Sequence, residues 1–519
     1  MSSGSGGSGG SGEALQLGPP EKDYYATERA FIFVCICIAV SYQSFAEFPY
    51  LIIKHGGVCF FIPYTIVLFL LGIPMAYLEM LLGQFRGRGC LEIWSCVPIG
   101  KGLGMAMLLK TFVICAYKVF QDSVSFYYFL QIFQHELPWS HCYTWWGANP
   151  LNCVERNRFC HEELERLYQA ANENPPLTSH NDTWVNVCGN WVKVPFLTYV
   201  NGTSEACRDQ RGHAEYAYLL HGVLKVTRSI DEFGGLRYEI LVCYIFSWFV
   251  VYIVCAQGAA TVGRLAPYLG VIPFVTLIIV TMNTLFYPHA RSSLLELMEP
   301  RWDRVFTLSL APPSLARANA SVAVVTASQL LAAQASVVCQ AGERPAAEVA
   351  SATFTTTAAW GDAVYSVLSG LAIGIGQLHA MASYNNFESR SLQWAVMVLP
   401  LFMTFSNVLG SLLVLGASGS LAQHLGQCVV DLGTYNFLFP FVVYPEMVKT
   451  AQWARLWSGM FYFTIFMISI DEMIFNVANV VTCAEDLFPN LRAITNKTVF
   501  FVCMSMFLSG FPTVTNVSA

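Results

Sequence analysis

Hydrophobic residues in this chain gather into long runs separated by polar links. Nine runs are long enough to cross a bilayer by the rule of about 20 apolar residues. They lie at 31–53, 58–84, 103–134, 239–256, 265–287, 362–387, 392–416, 456–484 and 496–515. A tenth apolar stretch, 429–446, is interrupted by Asp431, Pro440 and Pro445 and is expected to form a re-entrant hairpin. The first run carries Ser41, Tyr42, Gln43, Ser44 and Glu47 near its middle. Polar groups are costly at membrane depth, and a carboxylate most of all. Backbone freed by a helix break is tolerated there only against protein or a water-lined cavity. The first run is therefore expected to be a broken helix facing the interior. The sixth run has glycines at 370, 374 and 376. Each costs about 1 kcal/mol relative to alanine inside a helix, so a second break is expected there.

Charge sets the orientation. Arg86, Arg88 and Lys101 lie in the link after the second run, Arg264 in the link after the fourth and Arg390 in the link after the sixth. These fall on the same side as Lys22 and Arg29, which the positive-inside rule makes cytoplasmic. The opposite side receives two large polar loops, 135–236 and 291–360. They contain glycosylation sequons at Asn181, Asn201 and Asn319, in agreement with an extracellular position. Asn496 also begins a sequon, but on the cytoplasmic side, where no glycan is expected.

Composition agrees with a polytopic membrane protein: 55% hydrophobic residues against 12% charged. Its partners then include the lipid bilayer, and a net charge of −6 gives no support for a nucleic-acid partner. The first 20 residues, opening MSSGSGGSGGSG, read as a flexible tail, and 21–516 as one transmembrane domain of about nine spans. The chain has 17 cysteines, and several inside the runs, Cys35, Cys37, Cys115, Cys243, Cys255 and Cys503, read as small packing residues. Cys142, Cys153, Cys160, Cys188 and Cys207 share one polar loop, which suggests an oxidising compartment.

Between residues 48 and 84 the chain reads Phe48-Pro49-Tyr50-Leu51, Gly56-Gly57, Ile62-Pro63-Tyr64, Gly72-Ile73-Pro74, Tyr77-Leu78-Glu79 and Leu82-Gly83-Gln84. In order and spacing these motifs resemble the first two helices of the sodium- and chloride-dependent neurotransmitter symporters. The sixth-run ending Ala382-Ser383-Tyr384-Asn385-Asn386-Phe387 resembles that family's sixth helix. The resemblance implies an all-α membrane protein, a leucine-transporter-like inverted-repeat bundle with broken first and sixth helices. It implies plasma-membrane transport of a small amino-acid or amine solute. It also implies a Cys142–Cys153 disulfide in the second extracellular loop. The alternative is a non-transporting relative acting as receptor, scaffold or partner subunit. No nucleophile–base set or phosphate-binding loop suggests an enzyme. The family fold needs ten helices, and this sequence ends where the ninth does, as a fragment or as a protein lacking the tenth.

The family's sites carry over unevenly. The central solute site would be lined by Ser41, Tyr42, Gln43, Lys118, Ser369 and Gly374. One sodium site would fall on Ala39, Ser44, Gly370 and Leu399, of which only Ser44 offers a side-chain oxygen, so it is expected to be lost. The second would use carbonyls near Cys37, Val40 and Ile468 together with Asp471 and Glu472. Two adjacent carboxylates there would bind a cation, or one would hold a proton. Chloride would need Tyr77 and Ser366 beside an apolar stretch, Leu399–Phe402, which argues against it. Glu47 replaces the family's outer-gate arginine, and Lys22 and Asp486 match its inner gate. Lys118 could pair with Asp122 one turn away on the same helix, or serve the central site.

Overall fold

The computed structural model describes residues 22–149, 153, 184–187, 190–193, 214–226, 235–287, 290–298, 355–425, 439–449 and 451–515. The sequons at Asn181, Asn201 and Asn319, and Cys160, Cys188 and Cys207, lie outside them.

Helices run along each apolar segment. They are α1 (Glu28–Ala39), α2 (Gln43–Lys54), α3 (Gly57–Arg86), α4 (Lys101–Gln131), α5 (Tyr238–Ala256) and α6 (Ala259–Leu285). Then follow α7 (Thr355–Gly370), α8 (Gln377–Ala382), α9 (Ser391–Leu425), α10 (Phe439–Val448), α11 (Ala454–Leu487) and α12 (Pro489–Val514). Seven of the described helices are long and apolar enough to cross a membrane alone, and α1 with α2 forms a further span bent by 45°. A small antiparallel hairpin pairs β1 (Trp184–Val187) with β2 (Asn190–Lys193).

The first break needs no glycine. Val40 leaves helical geometry at ψ 78°, and its N–H turns back to the carbonyl of Cys37 at 3.2 Å. The chain restarts when the N–H of Ser44 reaches the carbonyl of Ser41 at 3.1 Å. The break between α7 and α8 is built differently. Ala372, Gly374 and Gly376 all have positive φ, at 55°, 72° and 93°. Only glycine adopts that region without strain, so Ala372 holds about 1–2 kcal/mol of it.

The core lies where these breaks face the other spans. α9 packs along both α1 and α2, α11 along α4 and α6, and α8 against α3. The α9 contact requires a glycine: a Cβ on Gly410 would come within 2.1 Å of the Ser44 carbonyl oxygen. At one end Leu236 bridges to Thr515, and Arg237 donates to the carbonyls of Thr513 and Thr515 at 3.2 and 2.9 Å.

Candidate functional site

The two breaks are joined by one side chain. Gln43, at the start of α2, donates from Nε2 to the Ser369 hydroxyl at 2.7 Å and to the Ser366 carbonyl at 3.2 Å. Ser369 in turn donates to the Tyr365 carbonyl at 2.6 Å. Around this bridge the buried hydroxyl oxygens of Ser41, Ser44 and Ser366 have no partner among the described residues. Tyr42 is buried and faces Gln121 of α4. Gln43 thus brings Ser369 against the first break, where Ser41 and Tyr42 are its neighbours in the chain.

Gly374 behaves otherwise. Its N–H is committed to Oε1 of Glu79 at 2.9 Å, which ties the second break to α3. The other oxygen of Glu79 faces the buried imidazole of His379 at 3.4 Å. Neither Glu79 nor this pairing was foreseen in the sequence, although Glu79 is the lone carboxylate of the second hydrophobic run.

Lys118 does not take the intrahelical partner Asp122. Its Nζ pairs with Oε1 of Glu472, joining α4 to α11, and does not reach Asp122. Asp122 is fully buried one turn further on, beside Ser247 of α5. Glu47, half-buried on α2, lies near Lys118 and Tyr365. The C-terminal end of α2 is clamped to the middle of α7 by Asp362, whose Oδ2 meets both Lys54 Nζ and His55 Nε2 at 2.7 Å.

Two ion sites can be tested on the residues present. At the first, a Cβ on Gly370 would meet the Met403 thioether at 2.8 Å. A sulfur fills the space beside Gly370, and the neighbouring Leu399 is buried and apolar. A hard cation that needs several oxygens does not fit there. At the second, Asp471 is buried next to Glu472 and close to Cys37, and its Oδ2 has no partner among the described residues. Ala39, Val40 and Ile468 are fully buried around the same break. The unpartnered Asp471 oxygen is the side-chain donor that this position offers.

Tyr77 is not placed as the chloride expectation would need it. It lies on the outer side of α3 and is 43% exposed, so it cannot face the centre. The buried tyrosine of that helix is Tyr64, whose hydroxyl accepts from Asn407 Nδ2 at 3.0 Å and lies 3.5 Å from Thr404. Polar groups of α9 do meet a second-helix tyrosine, just beyond the apolar Leu399–Phe402 stretch.

The end of the bundle that holds Lys22 also departs from the expectation. Lys22 and Asp486 are not paired. Lys22 donates to the Gly87 carbonyl and the Ser383 hydroxyl, both at 2.8 Å, and lies over the Tyr384 ring. Burial lowers its pKa to about 8. Asp486 is taken by the Gly89 N–H at 2.6 Å and by Arg492 at 2.8 Å. The N-terminal segment still seals this end, because the Tyr25 N–H donates to the Tyr384 carbonyl at 3.0 Å.

On the opposite side Cys142 and Cys153 form a disulfide. Nearby, Lys449 just after α10 bridges Glu215 and Glu446, both at 2.7 Å. Glu215 is buried, which raises its pKa well above the usual carboxylate value, with Glu446 adding to the shift.

Comparison with known proteins agrees with this architecture. The sodium:neurotransmitter symporter family model matches residues 22–311 and 348–519. The sodium- and chloride-dependent glycine transporter 2 of Xenopus laevis is 25% identical over 487 residues, covering 93% of this chain and 54% of that protein. The sodium- and chloride-dependent creatine transporter 1 of Bos taurus is 25% identical, covering 91% of this chain and 61% of its own length. The sodium-dependent nutrient amino acid transporter 1 of Drosophila persimilis is 27% identical with the same coverages. The chain therefore spans between 54% and 61% of the length of these relatives.

Proposed function

The chain belongs to the sodium:neurotransmitter symporter family, and from that premise we propose that it forms the core of a plasma-membrane secondary transporter for a small amino-acid or amine solute. The observation that carries this reading is the pair of broken spans bridged by Gln43, with unpartnered hydroxyls of Ser41, Ser44 and Ser366 around the bridge. Unpaired polar groups at membrane depth are retained where they meet a polar cargo or water. The solute site consists of Ser41, Tyr42, Gln43 and Ser369, with Lys118 beside them.

Ion coupling is altered. Met403 displaces one sodium ion, and the Lys118 ammonium, held by Glu472, supplies a fixed positive charge in its place. Asp471 holds the remaining sodium as cargo, with carbonyls of the first break. Chloride has little part, since the Leu399–Phe402 stretch offers an anion no side-chain donor. Lys22, Arg88 and Arg492 mark the cytoplasmic end.

The test is uptake of a labelled amino-acid and amine panel by cells expressing the full-length protein, with sodium or choline outside. Sodium-dependent accumulation of at least one solute, unchanged when gluconate replaces chloride, is expected. Surface-expressed protein that accumulates none of the panel contradicts the reading.

A further inference from the structure

Beneath the second break lies a pair of thiols that the transport reading does not use. Cys90 opens the short helix Cys90–Ile93 in the link between α3 and α4, and Cys483 lies in the last turns of α11. Both are buried, and their sulfurs are 3.4 Å apart. A disulfide requires about 2.05 Å, so the pair is about 1.4 Å short of a bond.

The surroundings hold the two sulfurs together from three sides. A Cβ on Gly376, at the entry of α8, would meet both Cβ and Sγ of Cys90 at 2.8 Å. A Cβ on Gly89 would meet Cys483 Sγ at 3.1 Å. Asn479, one turn before Cys483, donates to the Ile375 carbonyl at 3.1 Å, and Asp486 accepts the Gly89 N–H. The thiols therefore stand where the second break, α11 and the α3–α4 link converge.

We propose that Cys90 and Cys483 form a redox modification site, oxidised by a hydroperoxide to a disulfide that staples the α3–α4 link to α11 beneath the second break. One thiolate attacks the peroxide O–O bond, giving a sulfenic acid and hydroxide. The second thiol attacks the sulfenic sulfur, the S–O bond breaks and water leaves. In sum, two thiols and one hydrogen peroxide give one disulfide and two waters. Both thiols are buried, so the oxidant must be as small as hydrogen peroxide or must enter when this end opens. On the cytoplasmic side, an orientation that rests on the proposed function, cellular thiols reverse the bond and make it transient.

The experiment treats the purified full-length protein with hydrogen peroxide, caps free thiols with N-ethylmaleimide and maps peptides without reduction. A Cys96→Ser background keeps the Cys90 peptide unambiguous. The expected product joins the Cys90 and Cys483 peptides, is two hydrogens lighter than their sum and is released by dithiothreitol. Cys90→Ser and Cys483→Ala each abolish it. Recovery of both peptides fully alkylated, or of Cys90 joined to another cysteine, overturns the site. Uptake supplies a second readout: peroxide should lower it in the wild type, dithiothreitol should restore it, and Cys483→Ala should not respond. A crosslink that leaves uptake unchanged overturns the staple. Absence of uptake before oxidation counts against the transport reading and leaves the peptide result as the judge of the thiol pair.

Discussion

Lys118 on α4 and Glu472 on α11 form an ion pair across 354 residues of sequence. Their side chains are 26% and 18% exposed, so the pair borders accessible space rather than lying in dry core. Removing one partner of a fully buried pair costs about 3–5 kcal/mol, because the other charge is stranded. Partial exposure places the cost here below that range. Lys118→Met is expected to lower the thermal midpoint, and so is Glu472→Met. The double variant should recover most of the loss. Additive losses in a double-mutant cycle would show that the two groups act independently.

A second expectation concerns the contact that positions the first break. The atom closest to a Cβ on Gly410 is backbone, the Ser44 carbonyl oxygen, so no side-chain rotation relieves the clash. Gly410→Ala should therefore force α2 away from α9. Overpacking of this kind costs about 1–3 kcal/mol. Detergent-solubilised Gly410→Ala should melt earlier than wild type and lose uptake. Gly459→Ala is the control, since its nearest neighbour is a side-chain methyl at 3.9 Å. Equal stability of the Gly410 and Gly459 variants would contradict the contact.

The Glu215–Lys449–Glu446 cluster predicts a pH dependence. Burial, with Glu446 beside it, raises the Glu215 pKa above its unfolded value. The folded state then binds the extra proton, so this group's stabilisation is present at acid pH and declines as pH rises above about 4.5. Lys449 is shifted upward by its two carboxylates against the effect of burial. Its stabilisation is present below about 10.5 and lost at higher pH. Glu215→Gln keeps an acceptor for Lys449 and removes the titration. It should melt at or above wild type at pH 7.5 and flatten the profile between pH 4.5 and 7.5. Lys449→Met should melt lower throughout. A Glu215→Gln protein that loses stability at pH 7.5 would mean that the carboxylate is charged in the fold.

Much of this architecture is legible in the sequence because hydrophobic length and polar interruption are local signals. The first break announces itself through Ser41–Ser44 and Glu47, although the turn is made by Val40 without any glycine. The Gln43–Ser369 bridge follows once both breaks are placed. What escapes is the choice among long-range partners. Lys22 and Asp486 match a charge pair by position, but the Gly89 amide and Arg492 have already satisfied the carboxylate. Tyr77 and Tyr64 are about three and a half turns apart on α3, which places them on nearly opposite faces. A motif match alone could not say which face is buried. Met403 beside Gly370 was equally hidden, because an apolar residue in an apolar run carries no signal until its neighbour is known.

The most direct test of the internal-cation proposal is a sodium titration of thermal stability in purified protein, with choline holding ionic strength constant. Wild type, Lys118→Met and Asp471→Asn are compared. One remaining sodium site with a fixed ammonium nearby predicts a saturating single-site rise in wild type. Asp471→Asn should abolish that rise. Lys118→Met should melt lower without sodium and regain more stability than wild type as sodium is added. A sodium response that survives Asp471→Asn, or a Lys118→Met protein as stable as wild type in its absence, would contradict the assignment of Lys118 as the built-in replacement for a bound ion.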